Sequence, residues 1–219
     1  MPAESTPLVW ELFRSAGLEA EWLERAFAAA EAGAGSIAFR AAYAGSARRL
    51  GALAHTPFTP PAALASHTRP HWTLVDIVRA ALLARALDVA PPSGQPQVVV
   101  TLFDGGEIGE QESLLRTLSL LPDAGRFASA GLNACRTNAT RVFAALACEN
   151  PFPASHLPDG GFNQMVLKAL FMELSLRRIE GLRARITPEL KRMVESYGSE
   201  RRAAGRPVPD DVGYVLSGG

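Results

Sequence analysis

Apolar residues recur along this chain at three- and four-residue intervals almost from end to end, the period of helices lying on a core. Thr6 is a capping residue type and Pro7 suits a first helical position, so a helix is predicted from there to Gly17. Residues 19–32 place Trp22, Leu23, Ala26, Phe27 and Ala30 on one face. The alanine-rich stretch 36–50 closes on Arg48 and Arg49 before Gly51, where cations suit a helix C-terminus. Pro57, Pro60, Pro61 and Pro70 predict a loop over 52–71. Thr73 with Asp76 three residues on is a variant capping box, opening a helix to about Asp88 with Leu74, Ile77, Val78, Ala81 and Leu82 inward.

Residues 90–96 hold three prolines, a glycine and a serine, the clearest break in the chain. The run Val98-Val99-Val100-Thr101 is β-like, but a lone strand without a partner is not a stable element, so 97–103 reads as a short buried helix. Beyond it helices are predicted over 107–121, 123–135, 138–149, 161–173, 175–182 and 187–204, separated by strong stops such as Pro122-Asp123 and Asn150-Pro151. In 107–121 a Leu114, Leu118 and Leu121 stripe faces in, with Glu112 and Arg116 on the opposite side. The expectation is an all-α, single-domain protein, an array of antiparallel helix pairs that is HEAT-like or an orthogonal bundle. Its parts are N-terminal helices over 1–88, a Pro/Gly loop at 89–97, a helical core over 98–207 and a tail at 208–219.

With 22 basic and 22 acidic side chains the formal charge is zero, which removes the electrostatic footprint of a nucleic-acid binder. The first six residues lack the basic and apolar regions of an export signal, and no apolar run is long enough for a membrane span, so a cytoplasmic protein is predicted. Cys135 and Cys148 lack metal or redox spacing and read as small buried hydrophobes. His67 and His71 are four apart, but Pro70 lies between them and breaks the helix that metal ligation would need. No cofactor, metal set or nucleophile system is expected.

The run Cys135-Arg136-Thr137-Asn138, the segment 142–147, Glu149-Asn150-Pro151-Phe152-Pro153 and the helix 163–171 together resemble the EboA family. Glu110-Gln111, Leu120-Leu121-Pro122, Gly181-Leu182, Pro188-Glu189-Leu190 and the 200–206 run extend the resemblance, which is strong from about 104 to 207. It implies a helical cytosolic protein encoded beside biosynthetic enzymes, in clusters that make or export a secondary metabolite. The expected function is that of a non-catalytic accessory protein binding an amphiphilic or anionic metabolite, or a partner enzyme of the same gene cluster.

The helix at 163–173 is apolar on most sides, as a central helix would be, except for a narrow stripe carrying Gln164 and Lys168. A buried ammonium needs a partner, so Lys168 either snorkels to water, pairs with Glu149, Glu107 or Glu112, or lines a wet pocket. Asn138 suits the start of its helix and Arg136 the end of the one before. In the functional reading Arg136 and Arg141 converge with Lys168 on an anionic group, which arginine forks bind bidentately. The predicted ligand-binding set is Arg136, Asn138, Arg141, Glu149, Asn163, Gln164 and Lys168. The rival reading is a cofactor-independent enzyme using Lys168 with a carboxylate partner such as Glu149.

Overall fold

The computed structural model describes residues 6–33 and 35–218, and its regular elements are α-helices and short 3₁₀ segments. The export-signal reading of the N-terminus rests mainly on residues 1–5, which lie outside the described residues. The fold class is all-α, as the apolar period predicts; an isolated bridge between Pro57 and Thr73 is the β-type pairing among the described residues. Contacts gather into two compact units, Met1–Ala130 and Gly131–Gly219.

The first unit contains α1 (Pro7–Ser15), α2 (Glu21–Glu31), α3 (Ile37–Leu50), α4 (Leu74–Val89), α5 (Gln95–Gly105) and α6 (Ile108–Thr117). Helix α4 is its hub, packed by α1, α2, α3 and α6. It is buried on nearly every side because Val75, Ile77, Val78, Leu82, Leu83 and Leu87 are spread around its circumference with alanines between them. The capping box forms as predicted, the Thr73 backbone N–H donating to Asp76 Oδ2 at 2.9 Å. Asp76 also accepts from Ser113 Oγ at 2.7 Å and from Arg116 at 2.9 and 3.0 Å. This corrects the placing of Glu112 and Arg116 on the side away from the buried leucine stripe: Glu112 is buried and Arg116 turns toward the carboxylate at the start of α4.

Thr6 precedes α1 but its side chain makes no capping bond; its backbone carbonyl takes the first helical N–H groups instead. Helix α5 confirms the helical reading of the valine run and begins at Gln95, inside the expected 89–97 loop. The Gln95 side-chain amide donates to the Leu87 and Ala90 carbonyls at 2.8 and 3.3 Å, closing the end of α4.

The expected 123–135 helix is broken into a 3₁₀ turn, Ala124–Phe127, and α7 (Ala128–Ala134), within which the two units divide. The second unit continues with α8 (Thr140–Ala147), α9 (Phe152–His156), α10 (Asp159–Phe171), α11 (Pro188–Ala203) and α12 (Asp210–Leu216). Thr187 caps α11 as predicted, accepting from the Leu190 N–H at 3.1 Å. Three expectations are corrected. Asn138 does not cap α8, which starts two residues later, after the Ala139 N–H has bonded to Thr137 Oγ1. The 175–182 segment holds only the 3₁₀ turn Leu176–Arg178, and after Gly181, whose φ of 70° is left-handed, a second turn, Leu182–Arg185, begins. The 208–219 tail holds α12, with Val212 and Val215 buried and Asp211 accepting from the Leu176 N–H at 2.9 Å.

Candidate functional site

Helix α10 is buried on one side only, through Phe162, Asn163, Met165, Val166, Ala169 and Leu170. It is therefore not the fully enclosed helix its composition suggests. The opposite side presents Gln164, Leu167, Lys168 and Phe171, which form one wall of a cavity of about 470 Å³. The other wall is α11, through Arg192, Met193, Ser196, Tyr197 and Glu200, successive turns of one face. Phe171 stands 75% exposed at the edge.

Two local features fix this geometry. Tyr197 Oη donates to the Leu170 carbonyl at 3.3 Å, tying α11 to the end of α10. Helix α10 ends in a Schellman arrangement: the Leu174 N–H bonds to the Ala169 carbonyl at 2.9 Å and the Glu173 N–H to that of Leu170 at 3.1 Å. Glu173 adopts the left-handed conformation, φ 58°, that this motif requires.

Lys168 is half-buried, with its Nζ donating to the Thr137 carbonyl at 2.6 Å and lying 5.5 Å from the centre of the Phe143 ring. The lysine thus satisfies a carbonyl just past the end of α7, where a cation is favoured. Its partner is a backbone oxygen, and no carboxylate lies within ion-pair distance of it among the described residues. Cys135 is close by; burial pushes its thiol from 9.0 up to about 11, with the Lys168 charge acting in the opposite direction.

Of the seven predicted site residues, Gln164 and Lys168 come together on the cavity wall. Asn163 is buried on the other side of the same helix. Arg136, Asn138 and Arg141 are exposed and do not line the cavity. Glu149 is not the partner of Lys168: its carboxylate takes a two-pronged contact from Arg178, at 2.7 and 3.0 Å, while its own N–H bonds to the Arg178 carbonyl. Asn150 closes the turn that follows, donating to the Ala145 carbonyl and accepting from the Phe152 N–H, both at 3.0 Å. The α11 wall was missed because Arg192, Ser196 and Glu200 at four-residue spacing have the pattern of an ordinary solvated face. The signal that could have found it is the pair Met193 and Tyr197 one turn apart beside that face.

The chain belongs to the EboA family. The family model, described as metabolite traffic protein EboA, matches residues 12–216. No curated protein and no solved structure matches the chain. The match runs through both compact units and includes α10 and α11 complete. Among the described residues, no group of His, Cys, Asp or Glu is placed to hold a metal ion, and no helix is long and apolar enough to cross a membrane.

Proposed function

We propose that this EboA-family protein binds a small acidic, amphiphilic metabolite in the α10–α11 groove and carries it, without transforming it, between enzymes of a secondary-metabolite pathway in the cytoplasm. The observation that carries the reading is Lys168. Its ammonium is held by the Thr137 carbonyl at 2.6 Å on a groove wall, which leaves two of its three N–H donors for a ligand. On the facing wall stand Arg192, its guanidinium paired with Glu189, and Glu200, while Leu167, Phe171, Met193 and Tyr197 supply apolar surface. A cavity of about 470 Å³ is in the range that small-molecule sites occupy. Carriage is favoured over catalysis because the lysine–carboxylate pair an acid–base mechanism would use is not assembled: Glu149 is engaged by Arg178.

The test is native mass spectrometry and thermal shift of the wild type, Lys168→Ala and Arg192→Gln against an extract of the producing cells. The reading predicts a small-molecule adduct and a stabilisation in the wild type, both lost in Lys168→Ala and weakened in Arg192→Gln. Lys168→Ala also gives up a charge-assisted hydrogen bond worth about 1.5–3 kcal/mol, so it will melt earlier. Arg192 is an exposed rim residue paired with Glu189, so Arg192→Gln keeps its fold and holds the test intact. An adduct that survives unchanged in both variants, or none in the wild type, contradicts the proposal.

A further inference from the structure

We infer that the ligand of the α10–α11 groove presents a flat aromatic ring bearing the acidic group, an inference that rests on the reading above and narrows it to a chemical class. The apolar lining is short: Leu167 and Phe171, one turn apart on α10, and Met193 and the Tyr197 ring, one turn apart on α11. The same walls carry polar groups beside it, Gln164 and Lys168 on one and Arg192, Ser196 and Glu200 on the other. A long alkyl tail needs apolar surface along its whole length, and laid in this groove it would cover donors and acceptors that then lose water. A ring system needs one apolar platform, and substituents on its edge meet the polar rim.

The platform is Phe171. It is 75% exposed, it lines the groove, and its ring stacks on no other ring among the described residues. An aromatic side chain left uncovered at the edge of a groove offers its face for offset stacking, a geometry that favours another ring over an aliphatic chain. Met193 on the facing wall adds a polarizable thioether, which prefers the edge of an aromatic ring. Lys168 lies one turn before Phe171 on the same face of α10, so a carboxylate on the stacked ring reaches the ammonium.

Two acids of equal charge separate the classes: 2-naphthoate and decanoate, titrated into the wild type, Phe171→Leu and Lys168→Gln. Affinity is read by calorimetry and contact by the methyl spectrum of the chain's four methionines. The inference predicts that 2-naphthoate binds more tightly than decanoate and shifts the Met193 methyl by ring current. Phe171→Leu weakens 2-naphthoate roughly three- to tenfold and leaves decanoate unchanged, the size expected of one lost aromatic pair. Lys168→Gln weakens both acids. The exposure of Phe171 makes the leucine variant neutral to the fold. Decanoate binding as tightly as 2-naphthoate, an unmoved Met193 methyl, or equal 2-naphthoate affinity in Phe171→Leu each overturns the aromatic class. Failure of both acids to bind overturns it as well. The parent reading fails separately, in the extract experiment, when the adduct survives in Lys168→Ala and Arg192→Gln.

Discussion

Gly181 shows how closely single positions are specified in the second unit. Its φ is 70°, and a Cβ added there would sit 2.6 Å from the Cβ of Ala154 in α9. Ala154 cannot swing aside, and its carbonyl is also bonded by Arg185. Gly181→Ala is therefore expected to cost about 2–4 kcal/mol, from left-handed strain and overpacking together, as a lower urea midpoint. At Gly161 a Cβ would meet only the tip of the Leu132 side chain, which can rotate, so Gly161→Ala should cost about 1 kcal/mol or less. Equal losses at the two positions would contradict this. The same contrast explains what was legible residue by residue. Lys168 stood out in the sequence because a cation on a narrow stripe of an apolar helix demands a partner. That the partner is the carbonyl of Thr137 could not be read, because backbone oxygens carry no sequence signal. Glu149 misled for a related reason: its left-handed φ of 47° turns it into the clamp with Arg178.

Element ends were legible where side chains make them and illegible where the backbone does. The Thr73–Asp76 box and the Thr187 cap were read from residue types alone, and both are present. The end of α10 was harder, since Glu173 occupies a position that usually holds glycine. Replacing it is a direct test of that motif: Glu173→Gly should raise stability by about 0.5–1 kcal/mol, relief of left-handed strain partly offset by glycine's greater unfolded-state freedom. A destabilised Glu173→Gly protein, measured by the same urea melts, would show that the Glu173 side chain contributes more than its backbone costs. The 175–182 segment is not a helix although its leucines and arginines fit a helical period: the backbone turns extended at Ile179 and left-handed at Gly181.

The whole molecule joins an all-α fold, read correctly from periodicity, to a groove half of which was hidden in an ordinary-looking polar face. The strongest punctuation, at 89–97, marks a turn between α4 and α5, whereas the contacts divide inside α7, where no proline or glycine cluster announces it. Burial pushes both thiols, Cys135 and Cys148, from 9.0 up to about 11, and it raises the Tyr43 phenol in the same sense. Folding favours the protonated forms, so this contribution is complete below pH 9.0 and is lost as pH climbs through about 11. Urea midpoints should hold level up to about pH 9.0 and fall between there and about pH 11. A Cys135→Ala, Cys148→Ala protein should show a shallower decline over that interval, and identical profiles would refute the assignment.

The claim on which the functional account rests is that α10 and α11 hold an acidic metabolite at Lys168. A crystal structure with the metabolite recovered from the extract tests it most directly. The account predicts density between α10 and α11, with an acidic oxygen within about 3.2 Å of Lys168 Nζ. Density elsewhere, for instance in the cavity of about 350 Å³ lined by Arg40, Tyr43 and Glu110 in the first unit, would contradict it.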